Sequence, residues 1–522
     1  MKSTLPQWQI VIPMSGFGER FRHAGYTIPK PLIKVDGKPI IAHVLDLFPN
    51  EQDVHFICNE EHLLSQDWDM AGTLKYYCPS GKIHAIAPHK LGPVNAVAQI
   101  LDVLDTKRPV AVSYCDFAGH WDWSSFKKFM NRGQHDGAVI CYTGFHPHML
   151  DNVKYAYCQT DGTDKVTAIQ EKQPYTDTPM NEWASCGIYC FGSGKILTKA
   201  VHNTMKRDDL KLNGEYYVSL AYRPLLETSF DIRVFPIEKF CQWGTPEDLQ
   251  MWQNQASNVR AGKCIQQRPK MAGTTMIPLA GLGSRFAKQG YTTPKPLIEV
   301  SGKEMVLSAW EDLPQTPTNV FILRSDMPGV EEISKRITEY IPGSIIHRID
   351  HVTEGQACTC LLGMDGIDEN APLTIGACDN GLRYDANSFS SVAESDADVI
   401  IWSVRGYSGA VRHPQQYGWV DAMPNGDVKS VSVKVPLQNP QNDPVVTGAF
   451  TFKRAKDFTK CAQRMIERNG RVNGEFYVDE CINDAIALGL KVKSFDVDAY
   501  LCWGTPEDLN TFNYLYDLIK TM

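Results

Sequence analysis

The chain alternates short, continuous apolar runs with segments in which apolar residues recur at helical spacing. Runs rich in Val, Ile and aromatic residues predict strands at 8–14, 54–59, 82–88, 109–116 and 137–144. Helix-compatible segments lie at 39–48, 93–105 and 123–132. The same order returns later, with strands at 274–280, 319–324, 344–350, 372–379 and 398–404. Apolar strands that alternate with helices are typical of an α/β domain with a mainly parallel, mixed sheet covered on both faces.

The structural pattern repeats because the sequence repeats. Residues 12–35 and 277–300 are identical at 15 of 24 aligned positions. NGEYYV at 213–218 returns as NGEFYV at 473–478, and WGTPEDL at 243–249 returns unchanged at 503–509. A period of about 260 residues is long enough for a complete domain. We therefore predict two tandem domains, residues 1–258 and 273–522, joined by a linker at 259–272.

Composition narrows the class of protein. A net charge of −8 and a pI near 6.0 argue against a nucleic-acid partner, since no basic stripe exists to neutralise a phosphate backbone. Small phosphorylated ligands need only a few local cations. No apolar run predicts membrane insertion, and the N-terminus lacks a signal-peptide pattern. The fifteen Cys are then best interpreted as reduced thiols, and we expect a cytoplasmic protein.

The strongest candidate for chemistry is the loop after the first strand of each half. A Gly-x-Gly turn leads into Arg-Phe, and Pro-Lys-Pro-Leu follows. The loop matches neither the Rossmann nor the Walker pattern of nucleotide-binding sites. These three motifs nevertheless occur together in both halves, which favours a functional role over simple turn formation. Glycines at a strand end let backbone N–H groups approach an anion, and Arg and Lys bind phosphate oxygens. The residues are Ser15, Gly16, Gly18, Arg20 and Lys30, and in the second half Ala280, Gly281, Gly283, Arg285 and Lys295.

With these motifs the chain resembles the sugar-phosphate nucleotidyltransferase (nucleotide-sugar pyrophosphorylase) family, over almost all of both halves. The resemblance implies two tandem Rossmann-like, GT-A-like domains. It implies an enzyme that joins a nucleoside triphosphate to a phosphorylated sugar or polyol and releases pyrophosphate, with Mg²⁺ as cofactor. A role in capsule or surface-polysaccharide biosynthesis rests on the resemblance alone.

The resemblance also implies a metal site. Asp116 and Asp379 end a buried strand where the family places its metal-binding Asp, although Asp at such a position also caps turns. Many members carry a second ligand two residues before the Gly of GTPED. Here Gln242 and Cys502 stand at that position. Either the second ligand comes from elsewhere, or the triphosphate holds most of the ion.

Two lysines match the Lys of the family's Glu-Lys pair, which holds the incoming phosphate. They are Lys172 and Lys434, and a solvated lysine at a strand edge is the alternative interpretation. Glu171 completes the pair in the first half, whereas Val433 replaces it in the second. We expect Lys172 and Lys434 to be catalytic and Glu171 to bind substrate.

The NGE segments match the acidic residue that the family uses near the sugar. We expect Glu215 and Glu475 to bind substrate. Four residues further on, Asp479 fits the family's usual pattern, while Ser219 departs from it.

A Gly-Gln loop before a helix helps the family to bind the base. Gly355 and Gln356 match this loop in the second half. The first half has Gly92 followed by Pro93, so base selection there differs or is lost. The WGTPEDL segments have a structural explanation instead, with Thr245 and Thr505 as helix N-caps.

Two other functions compete with this interpretation. A glycosyltransferase of related fold would release a nucleoside diphosphate, and the paired Arg and Pro-Lys-Pro would then lack a clear use. Alternatively, one repeat is catalytic and the other is a nucleotide-binding regulatory or scaffold module. The asymmetry between Gln356 and Pro93 supports that alternative. The base, the acceptor and a homo-oligomeric state stay open.

Overall fold

The structure is a computed structural model that describes residues 6–150, 153–261 and 267–521, and the side chains of 254–261 lie outside this description. The chain divides into two compact units, Met1–Gln253 and Asn254–Met522, which are treated separately below as units 1 and 2. Each unit holds one sequence repeat. Residues 262–266 of the predicted linker lie outside the described residues, so the predicted domain boundaries stay a prediction.

Unit 1 follows the strand and helix order that its hydrophobic pattern predicts. Its strands are β1 (Gln9–Met14), β2 (Lys34–Val35), β3 (Lys38–Pro39), β4 (Asp53–Asn59), β5 (Lys82–Ile86), β6 (Val110–Ser113), β7 (Phe117–His120), β8 (Gly137–Tyr142), β9 (Ala156–Thr160), β10 (Val166–Glu171), β11 (Trp183–Phe191), β12 (Ile232–Pro236) and β13 (Lys239–Gln242). Its helices are α1 (Glu19–His23), α2 (Ile40–Leu45), α3 (Glu60–Leu64), α4 (Met70–Tyr77), α5 (Pro93–Ala98), α6 (Trp123–Gly133), α7 (Gly194–Met205) and α8 (Arg223–Leu226), and α9 (Pro246–Ala261) begins in unit 1 and continues past its last residue.

Unit 2 repeats this order. Its strands are β14 (Thr274–Pro278), β15 (Glu299–Val300), β16 (Lys303–Glu304), β17 (Thr318–Arg324), β18 (Ile345–Ile349), β19 (Leu373–Ile375), β20 (Asn380–Arg383), β21 (Val399–Val404), β22 (Gly418–Ala422), β23 (Val428–Val433), β24 (Val445–Phe452), β25 (Val492–Asp496) and β26 (Ala499–Cys502). Its helices are α10 (Ser284–Lys288), α11 (Met305–Glu311), α12 (Val330–Tyr340), α13 (Gln356–Leu362), α14 (Ala386–Ala393), α15 (Ser408–Arg412), α16 (Ala455–Glu467), α17 (Val478–Ala487) and α18 (Pro506–Thr521).

Short 3₁₀ helices complete both units. They are Lys30–Leu32, Leu101–Val103, Pro147–Met149, Pro179–Asn181, Asp208–Leu210, Val218–Tyr222, Lys295–Leu297 and Pro414–Gln416.

Among the described residues, each unit contains a nine-stranded mixed sheet with the same topology. In unit 1 the order is β5-β4-β1-β6-β11-β8-β12, and β9 and β10 extend from β11. Strands β5, β4, β1 and β6 are parallel, whereas β11 runs antiparallel to β6, β8 and β9. Unit 2 has β18-β17-β14-β19-β24-β21-β25, with β22 and β23 extending from β24. Strand for strand, the two orders are equivalent.

Both faces of each sheet are buried. In β1, Ile10 and Ile12 belong to one hydrophobic cluster, and the intervening Val11 belongs to another. In β14, the neighbouring residues Met276 and Ile277 likewise belong to two different hydrophobic clusters. Successive side chains of a strand point to opposite faces, so apolar residues at every position require a cover on both sides. The predicted fold class, two tandem α/β domains with mixed sheets flanked by helices, is confirmed.

No helix within the described ranges has the length and apolar character needed to cross a membrane.

Candidate functional site

The loop after the first strand has the same backbone in both units. Gly18 precedes α1 and Gly283 precedes α10, with φ of 63° and 61°. This left-handed conformation is costly for residues with a Cβ atom, which explains the second glycine of the Gly-x-Gly turn. The Phe of the following Arg-Phe pair is buried, whereas Arg20 and Arg285 are exposed. Each Phe anchors the helix and leaves the neighbouring guanidinium available to a ligand.

The lysine of each Pro-Lys-Pro-Leu segment forms an ion pair with the predicted metal ligand. Lys30 Nζ donates a hydrogen bond to Asp116 Oδ2 at 2.8 Å, and Lys295 Nζ donates to Asp379 Oδ2 at 2.5 Å. Each lysine begins a 3₁₀ helix whose first proline is buried, so its backbone is fixed. The two residues predicted to bind phosphate and metal are therefore direct neighbours.

The ion pair keeps both partners charged despite burial. Burial alone would lower the pKa of Lys30 and Lys295, but the adjacent aspartate outweighs it, and the pKa of each lysine lies above its ordinary value. Burial would raise the pKa of Asp379, but Lys295 and then Arg285 lower it below its usual range. A positive charge and a negative charge are thus retained in one partly buried place.

The aspartate also joins the strand end to the WGTPEDL segment. Asp116 lies between β6 and β7, and Asp379 lies between β19 and β20. The backbone N–H of Trp243 donates to Asp116 O, and that of Trp503 donates to Asp379 O, both at 2.8 Å. In unit 2, Lys295 Nζ additionally donates to Gly504 O at 3.2 Å. Three segments distant in sequence therefore meet at each aspartate.

Each NGE segment forms a two-residue hairpin. Leu212 and Glu215 exchange both backbone hydrogen bonds across Asn213-Gly214, and the same exchange surrounds Asn473-Gly474 in unit 2. All four central residues have positive φ, between 50° and 85°, as expected of an Asn-Gly type I′ turn. The turn fixes the backbone of Glu215 and Glu475, the predicted substrate-binding residues.

The predicted base-binding loop packs directly on the NGE segment. In unit 2 the backbone N–H of Phe476 donates to Glu354 O at 2.9 Å, and that of Ala357 donates to Phe476 O at 3.1 Å. A Cβ atom at Gly355 would lie 2.5 Å from Phe476 N, and at Gly92 it would lie 2.7 Å from Tyr216 N. These close backbone approaches require glycine at both positions.

The predicted catalytic lysines share an uncommon backbone. Lys172 and Lys434 have φ of 58° and 64°, a region that residues other than glycine seldom occupy. Lys172 Nζ donates to Tyr217 Oη at 2.5 Å, and Lys434 Nζ lies 5.2 Å from the centre of the Tyr477 ring. Strained backbone conformations concentrate at functional sites, which supports the predicted role of these lysines.

In unit 2 the structure brings most predicted residues to one cleft of about 560 Å³. Its lining includes the glycine loop, the arginine and lysine, the aspartate, the base-binding loop and the acidic residue of the NGE segment. These are Ala280, Gly281, Gly283, Arg285, Lys295, Gly355, Gln356, Asp379 and Glu475. Lys434 is not among the lining residues. Burial lowers the pKa of Lys434, and the charges of Asp479, Arg285 and Glu475 also act on it.

The residues of unit 1 fit an oxygen-preferring cation better than those of unit 2. Across the described residues, no group of three or more His, Cys, Asp or Glu side chains could hold a metal ion. In unit 1, Gln242 Oε1 is a buried oxygen with no hydrogen-bond partner. A methyl group added at Gly244 would lie 2.6 Å from Gln242 Nε2 and 3.3 Å from Asp116 Oδ2, so amide and carboxylate are neighbours. Cys502 replaces Gln242 in unit 2. Mg²⁺ takes oxygen rather than thiol ligands.

The WGTPEDL segment has the structural role predicted for it. Thr245 Oγ1 accepts from Asp248 N at 3.2 Å, and Thr505 Oγ1 accepts from Asp508 N at 3.1 Å. Both threonines therefore cap the following helix, as predicted. Two contacts of the site were not predicted. In the first, Tyr217 and Tyr477 lie beside the predicted catalytic lysines, and the Asn-Gly hairpin signal shortly before each tyrosine was the indication available in the sequence. The second is the contact between Glu171 and Ser219.

Part of the chain matches a known protein family. The family model described as "Nucleotidyl transferase" matches residues 10–222. Among solved structures, the chain is similar to the nucleoside-diphosphate-sugar pyrophosphorylase from Vibrio cholerae RC9, with 22% identity, a TM-score of 0.39 and coverage of 46% of this chain and 98% of that one. The inositol-1-phosphate CTP transferase from T. maritima is also similar, with 16% identity, a TM-score of 0.38 and coverage of 49% and 98%. No curated relative matches the sequence.

The family match covers most of unit 1. Unit 2 lies outside the matched residues, but it carries the same motifs on the same sheet topology. The resemblance to the nucleotidyltransferase family, in two tandem copies, is therefore confirmed.

Changing Gly355 to alanine should disturb the contact between the base-binding loop and the NGE segment. We expect Gly355→Ala to destabilise unit 2 by about 1–3 kcal/mol more than Gly343→Ala, because overpacking costs that much. Gly343 also has a positive φ, 82° against 140° at Gly355, but it has open space around its Cβ position, so it reports the cost of a Cβ atom at positive φ without a close contact. Urea unfolding followed by tryptophan fluorescence compares the two variants. Equal midpoints would contradict the close approach.

Proposed function

We propose that the chain transfers a nucleotidyl group from a nucleoside triphosphate to a phosphorylated sugar or polyol and releases pyrophosphate. The observation that carries this proposal is the cleft of unit 2. It combines a glycine loop, Arg285, Lys295 and Asp379 in one place. Two fixed cations suit a triphosphate, and an acidic residue, Glu475, suits hydroxyl groups of an acceptor.

The reaction that we propose needs no general base. A phosphate monoester is already largely dianionic at neutral pH, because its second pKa is about 6. One of its oxygens attacks the α-phosphorus, and the bond from that phosphorus to the oxygen bridging to the β-phosphate breaks. The electron pair leaves with pyrophosphate. The protein has to align two anions that repel one another and stabilise the charge that develops on the leaving group.

Each residue then has a distinct task. Arg20 and Lys30, or Arg285 and Lys295, would hold the triphosphate. Lys172 or Lys434 would hold the acceptor phosphate in line with the α-phosphorus. The pKa of both lysines is lowered by burial, yet nearby carboxylates partly oppose this effect, which favours the charged ammonium that phosphate binding requires.

Magnesium is the cofactor that the family resemblance implies. Asp116 and the amide oxygen of Gln242 are the residues that would hold it in unit 1, and Asp379 would do so in unit 2. When bound, the ion would neutralise triphosphate charge and polarise the α-phosphate. The supply of an activated sugar for surface polysaccharide in the cytoplasm is part of the same proposal and rests on family resemblance.

A second candidate is a chain in which only one repeat is catalytic. Each unit lacks a feature that the other has. Pro93 stands in unit 1 where Gln356 lines the cleft of unit 2, and Cys502 stands in unit 2 where Gln242 offers an oxygen in unit 1. Variants confined to one unit therefore distinguish two active repeats from one.

The loop arginines provide the direct test. Nucleoside triphosphates are combined with sugar, polyol and amino-alcohol phosphates, and pyrophosphate release identifies the substrate pairs. We expect Arg20→Ala and Arg285→Ala each to slow the activity of its own unit by roughly two to three decades, as for other electrostatic stabilisers. Arg22→Ala is the matched control, since Ala287 occupies the equivalent position in unit 2. If neither arginine variant slows release with any pair, the proposed function fails.

Replacing Lys30 should have opposite effects on two ligands. In a chain whose unit 2 site carries Asp379→Asn, we expect Lys30→Met to weaken nucleoside triphosphate binding by roughly 10- to 100-fold, since a charge-assisted hydrogen bond is lost. Mg²⁺ binding without nucleotide should become tighter, because Asp116 loses its competing cation. Isothermal titration measures both. Lys34→Met removes an exposed lysine nearby and should change neither. Unaltered Mg²⁺ binding in Lys30→Met would exclude Asp116 as the ligand.

A further inference from the structure

The catalytic lysines occupy structurally equivalent positions with different neighbours. The backbone N–H of Lys172 donates to Tyr155 O at 2.8 Å, and that of Lys434 donates to Tyr417 O at 3.0 Å. Each lysine follows the last residue of its strand, β10 or β23. That last residue is Glu171 in unit 1, whereas it is valine in unit 2.

Three positions around each lysine differ together. In unit 1 they hold Glu171, Ala156 and Ser219, and in unit 2 they hold Val433, Gly418 and Asp479. The strand register matches them: Ala156 pairs with Glu171, and Gly418 pairs with Val433. The third position lies four residues after the Glu of the NGE segment in both repeats.

In unit 1 the carboxylate near the lysine belongs to Glu171, the last residue of β10. Ser219 Oγ donates to Glu171 Oε2 at 2.5 Å, and Ser219 is fully buried. The strand position and the third position are therefore in direct contact, although 48 residues separate them.

In unit 2 the carboxylate belongs to Asp479, at the position that Ser219 occupies in unit 1. Asp479 lies in the first turn of α17, where an acidic side chain is favourable. A Cβ atom at Gly418 would lie only 2.3 Å from Asp479 Oδ2. The aspartate therefore fits because its neighbour on β22 has no side chain, whereas unit 1 has alanine at that position.

The charged surroundings of the two lysines are similar, although Lys434 Nζ also donates a hydrogen bond to Gln416 O. The charges that affect the pKa of Lys172 are those of Glu171, Glu215, Arg20 and Lys154, and its ammonium group contacts Tyr217. For Lys434 they are those of Asp479, Glu475 and Arg285, and its ammonium group lies over the ring of Tyr477. Glu171 and Asp479 thus take the same place in two parallel sets. Burial raises the pKa of both carboxyl groups, to about 7 for Glu171 and about 6 for Asp479. Both are therefore ionised in the more alkaline pH range in which lysines lose their proton.

We infer that each repeat keeps one carboxylate beside its catalytic lysine, and that Glu171 and Asp479 are interchangeable sources of it. They are positioning residues, because they act through the lysine by holding its ammonium charged against burial. Val433 and Ser219 are then compensated replacements, and neither marks the loss of a functional group. The consequence for phosphate binding rests on the proposed function, but the carboxylate–lysine relation does not.

Competitive labelling tests the inference without any substrate. The full chain is labelled with trace acetic anhydride across a pH series, and peptide mass spectrometry gives the reactivity of Lys172 and Lys434 in the same molecule. Glu171→Gln should make Lys172 roughly three- to tenfold more reactive above about pH 8, where Glu171 is ionised, because loss of a neighbouring charge lowers the pKa of the lysine. Lys434 should not change. Asp479→Asn should give the reverse result.

An exchange variant makes the test specific. Glu171→Val combined with Ser219→Asp and Ala156→Gly transfers the unit 2 arrangement into unit 1. Lys172 reactivity should return to the level of the unaltered chain, and pyrophosphate release by unit 1 should recover with it. Should Glu171→Val not fold, the isosteric Glu171→Gln still reports the loss of charge, with folding checked by circular dichroism.

Two results would overturn the inference. One is a folded Glu171→Gln chain in which Lys172 reactivity stays the same. The other is a folded exchange variant in which Lys172 remains as reactive as in Glu171→Gln. If labelling behaves as expected while no substrate pair releases pyrophosphate, the proposed function fails and the carboxylate relation stands.

Discussion

The ion pair between a fixed lysine and the aspartate at the end of the fourth parallel strand is the constraint on which each site depends. It connects the Pro-Lys-Pro-Leu segment to the strand end, and the aspartate backbone binds the segment that leads into the last helix. Removing either charge would leave the other partly buried without its opposite charge, which is costly. The pair therefore shapes the site and retains the charges that the proposed triphosphate and metal ion would require.

Much of the fold followed from the sequence because its signals are local. Continuous apolar runs predicted β1, β4 and β6, and the repeat confirmed each interpretation independently. The glycine loop, Lys30 and Asp116 were also predictable, since each stands at a recognisable boundary between elements. The ion pair between Lys30 and Asp116 was not predictable, because the two residues are 86 positions apart and nothing in either motif indicates that they meet.

The differences between the repeats were the hardest feature to interpret from sequence. Val433 looked like a weakened Glu-Lys motif, and Ser219 looked like a separate departure from the family pattern. Both interpretations treated each position alone. The contact between Ser219 and Glu171 and the space beside Gly418 relate these positions to one another, and only a folded chain provides that information.

The crowding at Gly418 also links the residues that neighbouring positions of a repeat can hold. In its present conformation the Asp479 carboxylate lies where a methyl group at position 418 would be, so alanine there would displace that carboxylate from its place. A single close contact thus makes two distant positions of the duplicated domain depend on one another.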